Sequence, residues 1–352
     1  MTGGTGGHIF PALAVSEALK SQDAEVAWLG RQQGMEAEIA SKAQIPLLPI
    51  YIKGVRGHGV KRLLTAPWQL GRASYQASRH LHAWQPHLVL GFGGYTSGPG
   101  GIAAFLKRIP LCIQEQNAVP GYTNRILAKM ARKVFTAFPS TFNTAKAIVT
   151  GNPLRQTLLQ LGSPQTRLTQ RTGPIRILVM GGSQGAKALN EIVPMALKSA
   201  LNHGSISVRH QSGANHYATV LGEYRDIPNV EVMPFIDDIA EAYAWADLVI
   251  ARAGAATVSE LAAVGLPSIL VPYPHAVDDH QTKNANYLGQ KGAAQVIAQQ
   301  NLTVHYLEEL LAQKLKERAT LIAMAEAAYA LGQREATQTI ITECLGVLSA
   351  RP

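Results

Sequence analysis

Residues 176–187, RILVMGGSQGAK, run an apolar stretch straight into two glycines, a short polar turn and a lysine. An apolar run without alternation reads as a strand buried on both faces, the habit of a parallel sheet covered by helices. Glycines at its carboxyl end permit a tight turn and close backbone approach to a ligand, and amides opening the next helix can face an anion. Further along the chain, residues 206–210, 230–232, 248–250, 268–271 and 295–297 are short strand-forming runs separated by helical stretches, and residues 307–348 are helical with one break near Gly332. Toward the amino terminus the alternation repeats, with strands at 26–29, 87–90, 111–114, 133–137 and 148–149, and helices at 11–19, 34–40 and 101–107. This pattern predicts an α/β protein of two αβα domains with parallel sheets, facing each other across a cleft. The expected divisions are residues 1–161, a polar turn-rich linker at 162–174 (GSPQTRLTQRTGP), and residues 175–335. Residues 336–352 are expected to form a helix that packs back on the first domain.

The first domain departs from this scheme at its start. A ligand-binding glycine loop normally leaves the carboxyl end of a strand, yet only Met1 and Thr2 precede Gly3. The first strand is thus missing from the expected sheet. That strand would sit mid-sheet, and each buried backbone group left unpaired costs ~1–3 kcal/mol, so the natural chain is expected to begin upstream of Met1.

Charge is unevenly placed. The net +9 of the 352 residues divides into +11 over residues 1–163 and −2 over the remainder, and between Ile39 and Gln114 nine basic residues occur with no acidic one. Such a half suits a phosphate-bearing ligand, a nucleic acid or an anionic lipid surface. No apolar run approaches the ~20 residues that span a bilayer, and the opening residues carry no basic stretch of the kind that begins a secretory leader. Cys112 and Cys344 are the only cysteines, which excludes a disulfide scaffold.

Several constellations carry chemistry. Four of the five residues from Gly3 to Gly7 are glycine, and His8 follows. No lysine completes a phosphate loop for ATP hydrolysis, and no dinucleotide fingerprint is present. His8 could cap or pack, but its place beside the loop favours a general base, since imidazole suits removal of a hydroxyl proton near neutrality. Six of the eleven residues 91–101 (GFGGYTSGPGG) are glycine, and there Thr96 and Ser97 could bond a pyrophosphate or sugar. Residues 114–117 (QEQN) set four polar groups directly after a buried strand, where such folds bind ligands. Glu260, read as lying in a first helical turn after Arg252 and Gly254, either complements the helix dipole or accepts the hydroxyls of a ribose. Residues 272–284 (PYPHAVDDHQTKN) hold two Asp and two His, but the spacing matches no zinc pattern, so no protein-held metal is expected. A helix between Val60 and Leu81 carries Leu64 and Trp68 on one face. With Phe105 they are expected to form an exposed apolar patch flanked by Lys61, Arg62, Arg72, Lys107 and Arg108, suited to an anionic bilayer.

Taken together, residues 3–11 (GGTGGHIFP), 91–100 (GFGGYTSGPG), 114–117 (QEQN), 151–155 (GNPLR), 181–185 (GGSQG), 235–238 (FIDD), 252–260 (RAGAATVSE) and 279–284 (DHQTKN) resemble the MurG family. Its members are UDP-N-acetylglucosamine—N-acetylmuramyl-(pentapeptide) pyrophosphoryl-undecaprenol N-acetylglucosamine transferases. The resemblance covers essentially the whole chain, in order and spacing. It implies a GT-B fold, two Rossmann-like domains with the donor mainly in the second and the acceptor mainly in the first. It also implies an inverting, peripheral enzyme of peptidoglycan synthesis at the cytoplasmic face of the bacterial inner membrane. UDP-GlcNAc is then the donor substrate, no cofactor is tightly bound, and no divalent ion is required. The implied partners are the undecaprenyl-pyrophosphoryl muramyl-pentapeptide acceptor, anionic phospholipid and other cell-wall synthesis proteins, with no nucleic acid. Carried over by motif, Thr5, Gly6 and Gly7 close over the donor, while Asn117, Arg155 and Ser183 meet its sugar or diphosphate. Ile236 holds the uracil through its backbone, and Ala255, Ala256 and Thr257, with Val258 and Ser259, lie by the diphosphate. Glu260 grips the ribose, Gln281 meets the GlcNAc hydroxyls, and His8 is the candidate catalytic base. Many relatives have His where Gln114 stands, and glutamine cannot act as a base there.

Three rival readings remain at this point. A UDP-GlcNAc 2-epimerase shares the fold and donor but needs no lipid acceptor. A nicotinamide dehydrogenase lacks its fingerprint here. A nucleic-acid-binding protein explains the charge and leaves the glycine loops without a role.

Overall fold

The computed structural model describes residues 1–52 and 60–350, the side chains of 60–66 excepted. The chain divides into two compact units, Met1–Arg155 with Arg334–Pro352, and Gln156–Gln333.

In the first unit the chain runs α1 (Gly6–Lys20), β1 (Trp28–Gly30), α2 (Met35–Lys42), β2 (Leu47–Pro49), α3 (Val60–Trp84), β3 (Val89–Gly91), α4 (Gly94–Leu106), β4 (Leu111–Glu115), α5 (Tyr122–Met130), β5 (Lys133–Thr136) and β6 (Ala147–Val149). All its strand pairs are parallel, and they form two ladders, β1-β2 and β3-β4-β5-β6. Met1 and Thr2 lie alongside β3. The amino group of Met1 donates to the Leu90 carbonyl at 2.7 Å, and the Phe92 amide donates to the Met1 carbonyl at 2.9 Å. The period of two decides which helices each strand meets. Leu111 and Ile113 of β4 pack in a cluster with Ala73, Ala77, Ala103, Ala104 and Leu127 from α3, α4 and α5. Cys112, between them, joins the opposite cluster with Ile9, Ala12 and Val15 of α1. The strand read from the sequence as buried is covered on both faces.

The second unit continues with α6 (Gln156–Leu159), α7 (Pro164–Leu168), β7 (Ile175–Met180), α8 (Lys187–Asn202), β8 (Ile206–Gln211), α9 (Tyr217–Glu223), β9 (Val230–Met233), α10 (Ile239–Trp245), β10 (Leu248–Ala251), α11 (Ala255–Val264), β11 (Ser268–Leu270), α12 (His280–Gly289), β12 (Ala294–Val296), α13 (Val304–Leu315) and α14 (Arg318–Ala330). Its six strands form one parallel sheet in the order β12-β11-β10-β7-β8-β9. The strand order reverses beside β7, and at such switch points doubly wound sheets bind ligands. Ile177 and Val179 face Leu189, Val193 and Leu197 of α8, each such side chain contributing roughly 1.5–3 kcal/mol by its burial. The last helix, α15 (Ala336–Ser349), returns to the first unit, where Ile340 and Ile341 pack with α1 and Phe135.

Three expectations change. The crossing between units falls at Arg155 and Gln156, and residues 162–174 are packed into the second unit rather than linking the two. Within that stretch Arg171 donates to the carbonyls of Trp245 and Ala246 at 2.8 and 2.9 Å and to Asp247 Oδ1 at 2.6 Å. Arg167 donates to the Gly265 carbonyl at 3.0 Å, and Leu168 is buried. Most of the stretch is still exposed, while Arg167 and Arg171 are spent on the carbonyls at the ends of α11 and α10. The second change is α4. The expected loop at 91–100 is helical from Gly94 onward, because the small residues of α4 let it pack closely: a Cβ on Gly101 would lie 2.5 Å from Leu127. The carboxyl-terminal helical region is likewise broken twice, after Leu315 and after Ala330, and not once.

Candidate functional site

In the first unit the chain enters α1 through Thr5, extended at φ −103° and ψ 162°. The Thr5 carbonyl accepts from the His8 and Ile9 amides at 3.0 and 3.3 Å. Gly6 and Gly7 are thus the first residues of a helix N-terminus, where partial positive charge gathers. The second glycine stretch closes against it. Gly94 has φ +78°, and a Cβ there would lie 2.0 Å from the Gly3 carbonyl oxygen, so only glycine allows the two backbones to meet.

His8 is half-buried on the first turn of α1. Its Nδ1 lies 2.8 Å from the Phe92 carbonyl oxygen and 3.0 Å from Gln116 Oε1. Gln116 is buried just beyond β4, and its Nε2 donates to the same Phe92 carbonyl at 2.7 Å. The segment around it is shaped by the buried carboxylate of Glu115. One oxygen accepts from the Asn117 amide at 3.0 Å and from Asn117 Nδ2 at 3.3 Å, the other from the Gly121 amide and Asn124 Nδ2, both at 2.9 Å. Asn152 ties the 151–155 motif to this segment, accepting from Gln114 Nε2 at 2.8 Å and donating to the Gln116 carbonyl at 3.4 Å. The Arg155 guanidinium then lies 4.1 Å from the centre of the Phe10 ring. Four motifs separated in sequence therefore meet around His8.

In the second unit Ser183 is exposed on the loop after β7. That loop is held by the same device, since a Cβ on Gly185 (φ +75°) would lie 1.9 Å from the Ser212 carbonyl oxygen. Gln211, at the end of β8, donates through Nε2 to the carbonyls of Gly182 and Pro234 at 3.0 and 3.2 Å. It thereby joins the loop of Ser183 to the loop of Ile236. Asp238 in the 235–238 motif caps α10, accepting from the Ala240 and Glu241 amides at 3.0 Å. Behind Gly254, α11 begins at Ala255, and Glu260 Oε2 accepts from the Tyr243 hydroxyl at 3.0 Å. Arg252, whose pKa is lowered by burial, donates to the Val271 and Pro272 carbonyls at 3.1 and 3.3 Å and to Gln299 Oε1 at 2.6 Å. The turn so pinned lets the Tyr273 amide donate to Gln281 Oε1 at 2.9 Å, which leaves Nε2 as the end of Gln281 that can donate to a ligand.

The structure gathers Thr5, Gly6, Gly7, His8, Asn117 and Arg155 in the first unit, and Ser183, Ile236, residues 255–260 and Gln281 in the second. One placement is corrected. Glu260 is the sixth residue of α11, in its second turn, so the helix dipole is not what acts on it; the Tyr243 hydroxyl orients it. Sequence reasoning missed Gln116, Gln211 and Tyr243 as supports. Gln116, in the polar run that follows β4, and Gln211, at the end of β8, each left a signal, a polar residue at a strand's carboxyl end; Tyr243 left none. Among the described residues no group of three or more His, Cys, Asp or Glu could hold a metal ion. Of the expected apolar patch, Trp68 is 68% and Phe105 52% exposed, and Arg72, Lys107 and Arg108 are exposed. The side chains of Lys61, Arg62 and Leu64 lie outside the described residues.

Comparison with known proteins agrees across the chain. The glycosyltransferase family 28 N-terminal domain matches residues 1–136, and the glycosyltransferase family 28 C-terminal domain matches residues 176–340. A UDP-N-acetylglucosamine--N-acetylmuramyl-(pentapeptide) pyrophosphoryl-undecaprenol N-acetylglucosamine transferase of Coxiella burnetii is 47% identical over 353 residues, covering 100% of this chain and 98% of the relative. The Aliivibrio fischeri protein of the same description is 51% identical over 327 residues, 92% of this chain and 90% of its own. Among solved structures, Acinetobacter baumannii MurG superposes with a TM-score of 0.85 at 43% identity, over 98% of both chains.

Proposed function

From a chain that belongs to the MurG family, within glycosyltransferase family 28, we infer transfer of N-acetylglucosamine from UDP-GlcNAc to undecaprenyl-pyrophosphoryl-N-acetylmuramyl-pentapeptide. The observation that carries this reading is 47% identity across the whole chain to a transferase of that description. The epimerase reading gives way for the same reason, and the nucleic-acid reading leaves the matched transferase motifs unused.

In this reaction the C4 hydroxyl of the muramyl sugar attacks the anomeric carbon of GlcNAc, the bond from that carbon to the diphosphate oxygen breaks, and configuration inverts. His8 takes the hydroxyl proton; its place on the first turn of α1, among the motifs that meet there, supports that role. Charge grows on the departing UDP. The Ser183 loop and the amides opening α11 at residues 255–257 are suited to receive it, and one such pre-aimed donor is worth about 3–4 kcal/mol in a transition state. Glu260 accepts from the ribose hydroxyls, Ile236 meets the uracil through its backbone, and Gln281 donates through Nε2 to the sugar. Thr5, Gly6, Gly7, Asn117 and Arg155 are the first unit's own candidates for contact with the donor.

The protein works at the cytoplasmic face of the membrane as a peripheral enzyme. Among the described residues no helix is long and apolar enough to cross a bilayer. What supports a surface contact is the exposure of Trp68, Tyr75, Phe105 and Leu106 on α3 and α4, beside Arg72, Lys107 and Arg108. UDP release tests the function. It should depend on a lipid pyrophosphoryl muramyl-peptide, and acceptor-independent formation of UDP-N-acetylmannosamine would overturn the assignment in favour of an epimerase.

A further inference from the structure

We propose that Gln116 is a positioning residue that, with the Phe92 carbonyl, fixes the tautomer of His8; this rests on the reading of His8 as the base. The orientation of the Gln116 amide follows from its partners. Nε2 donates to the Phe92 carbonyl at 2.7 Å, and turning the amide over would set two oxygens, both acceptors, at that distance. Oε1 is therefore the atom 3.0 Å from His8 Nδ1, whose other neighbour is the Phe92 carbonyl oxygen at 2.8 Å. A ring nitrogen between two acceptors must carry a proton. A neutral imidazole has only one, so Nε2 keeps its lone pair and is the atom that accepts the sugar hydroxyl proton. The opposite tautomer would put a hydrogen where the reaction needs a lone pair.

A buried glutamine spends both ends of its amide on this arrangement. Nε2 holds the carbonyl in place, and Oε1 holds the ring. Once the hydroxyl proton arrives, both ring nitrogens are donors, and the Nδ1–H bonds persist unchanged through the step. Nothing has to reorganise as the charge forms on the ring.

The molecule contains its own reference. His210, buried in the second unit, lies 3.1 Å from Asn190 Oδ1 through Nε2 and 3.1 Å from the Tyr224 hydroxyl through Nδ1. Asn190 Nδ2 donates to the Ser212 carbonyl, so Oδ1 is the atom facing His210, which is therefore the Nε2–H tautomer. Nitrogen NMR of the full chain labelled with ¹⁵N-histidine should show His8 as Nδ1–H and His210 as Nε2–H. In Gln116→Met, of similar length and without hydrogen-bonding ends, His8 should show a second population with Nε2–H while the His210 signals stay, reporting an intact fold. Turnover number should fall roughly 5- to 10-fold, the worth of about one hydrogen bond, with donor KM held. Wild-type His8 found as Nε2–H would overturn the proposal, and so would turnover lost in Gln116→Met with the tautomer unchanged. The base reading is tested apart from this by His8→Gln: near-full turnover in that variant would remove the role, whatever the tautomer of the wild-type ring.

Discussion

Gly7 and Gly94 stand in the two glycine stretches of the first unit, and the structure gives them opposite reasons for having no side chain. A Cβ on Gly94 would lie 2.0 Å from the Gly3 carbonyl oxygen, against the 3.4 Å at which ordinary contact begins, so one backbone must give by 1.4 Å (3.4 less 2.0). Alanine there also inherits φ +78°. Left-handed strain and overpacking together should cost roughly 3 kcal/mol. The displaced segment carries Thr5 to His8, and a misplacement near 1 Å costs on the order of 10²-fold in rate. On Gly7, which lies inside α1, a Cβ would meet nothing nearer than Thr5 Oγ1 at 3.8 Å. Packing alone therefore permits alanine, and relief of glycine's entropy should stabilise the chain by about 0.4–1 kcal/mol. If the amides of Gly6 and Gly7 close over the donor, that methyl occupies the space the ligand needs. Gly7→Ala should therefore melt at or slightly above the wild-type temperature yet lose at least about 10-fold in kcat/KM for UDP-GlcNAc, whereas Gly94→Ala should lose stability and rate together. Calorimetry beside a UDP-release assay separates the two. Wild-type activity in Gly7→Ala would show that this glycine serves only the turn, and a wild-type melting temperature in Gly94→Ala would refute the packing argument.

Removing the Glu260 carboxylate by Glu260→Ala should raise donor KM by roughly 10- to 100-fold, the worth of charged hydrogen bonds, with acceptor KM unmoved; unchanged UDP-GlcNAc affinity would end the ribose assignment. Binding to vesicles rich in anionic phospholipid should weaken as salt rises, at about 1 kcal/mol per basic residue near the surface, and Trp68→Ala should weaken it further. Equal binding to neutral and anionic vesicles at low salt would remove the electrostatic half of that contact. Burial lowers the pKa of His210 from 6.5 to about 4, so the unfolded chain takes the proton first as pH falls. The stability this neutral ring contributes is complete above pH 6.5 and is lost toward pH 4, a total of roughly 3 kcal/mol at 1.36 kcal/mol per unit. NMR titration should find the ring still neutral at pH 5, and protonation near its ordinary value would show the site open to water.

Much of this protein is legible because its strands are covered on both faces. Stretches such as residues 111–114 and 176–180 have one dominant reading whatever surrounds them, and the glycine loops that follow mark where a parallel sheet meets ligand. Legibility fails where a residue's partner is distant in sequence. Residues 162–174 have the composition of a linker, and nothing local reveals that Arg171 ends on carbonyls and a carboxylate 74 to 76 positions away. Residues 94–101 have glycine's loop-like character, and the close approach of Met1 to Gly100 and of Leu127 to Gly101, which their lack of side chains permits, is visible only in the fold. The same limit applies inside the site. His8 can be singled out by its neighbours in the chain, but its tautomer is set by Phe92 and Gln116, 84 and 108 positions on. A motif therefore names the group that reacts, while the proton it holds beforehand is decided by contacts that form only when the first unit has folded. A substitution remote in sequence, such as Gln116→Met, can therefore leave every catalytic motif residue in place and still change which ring nitrogen is bare.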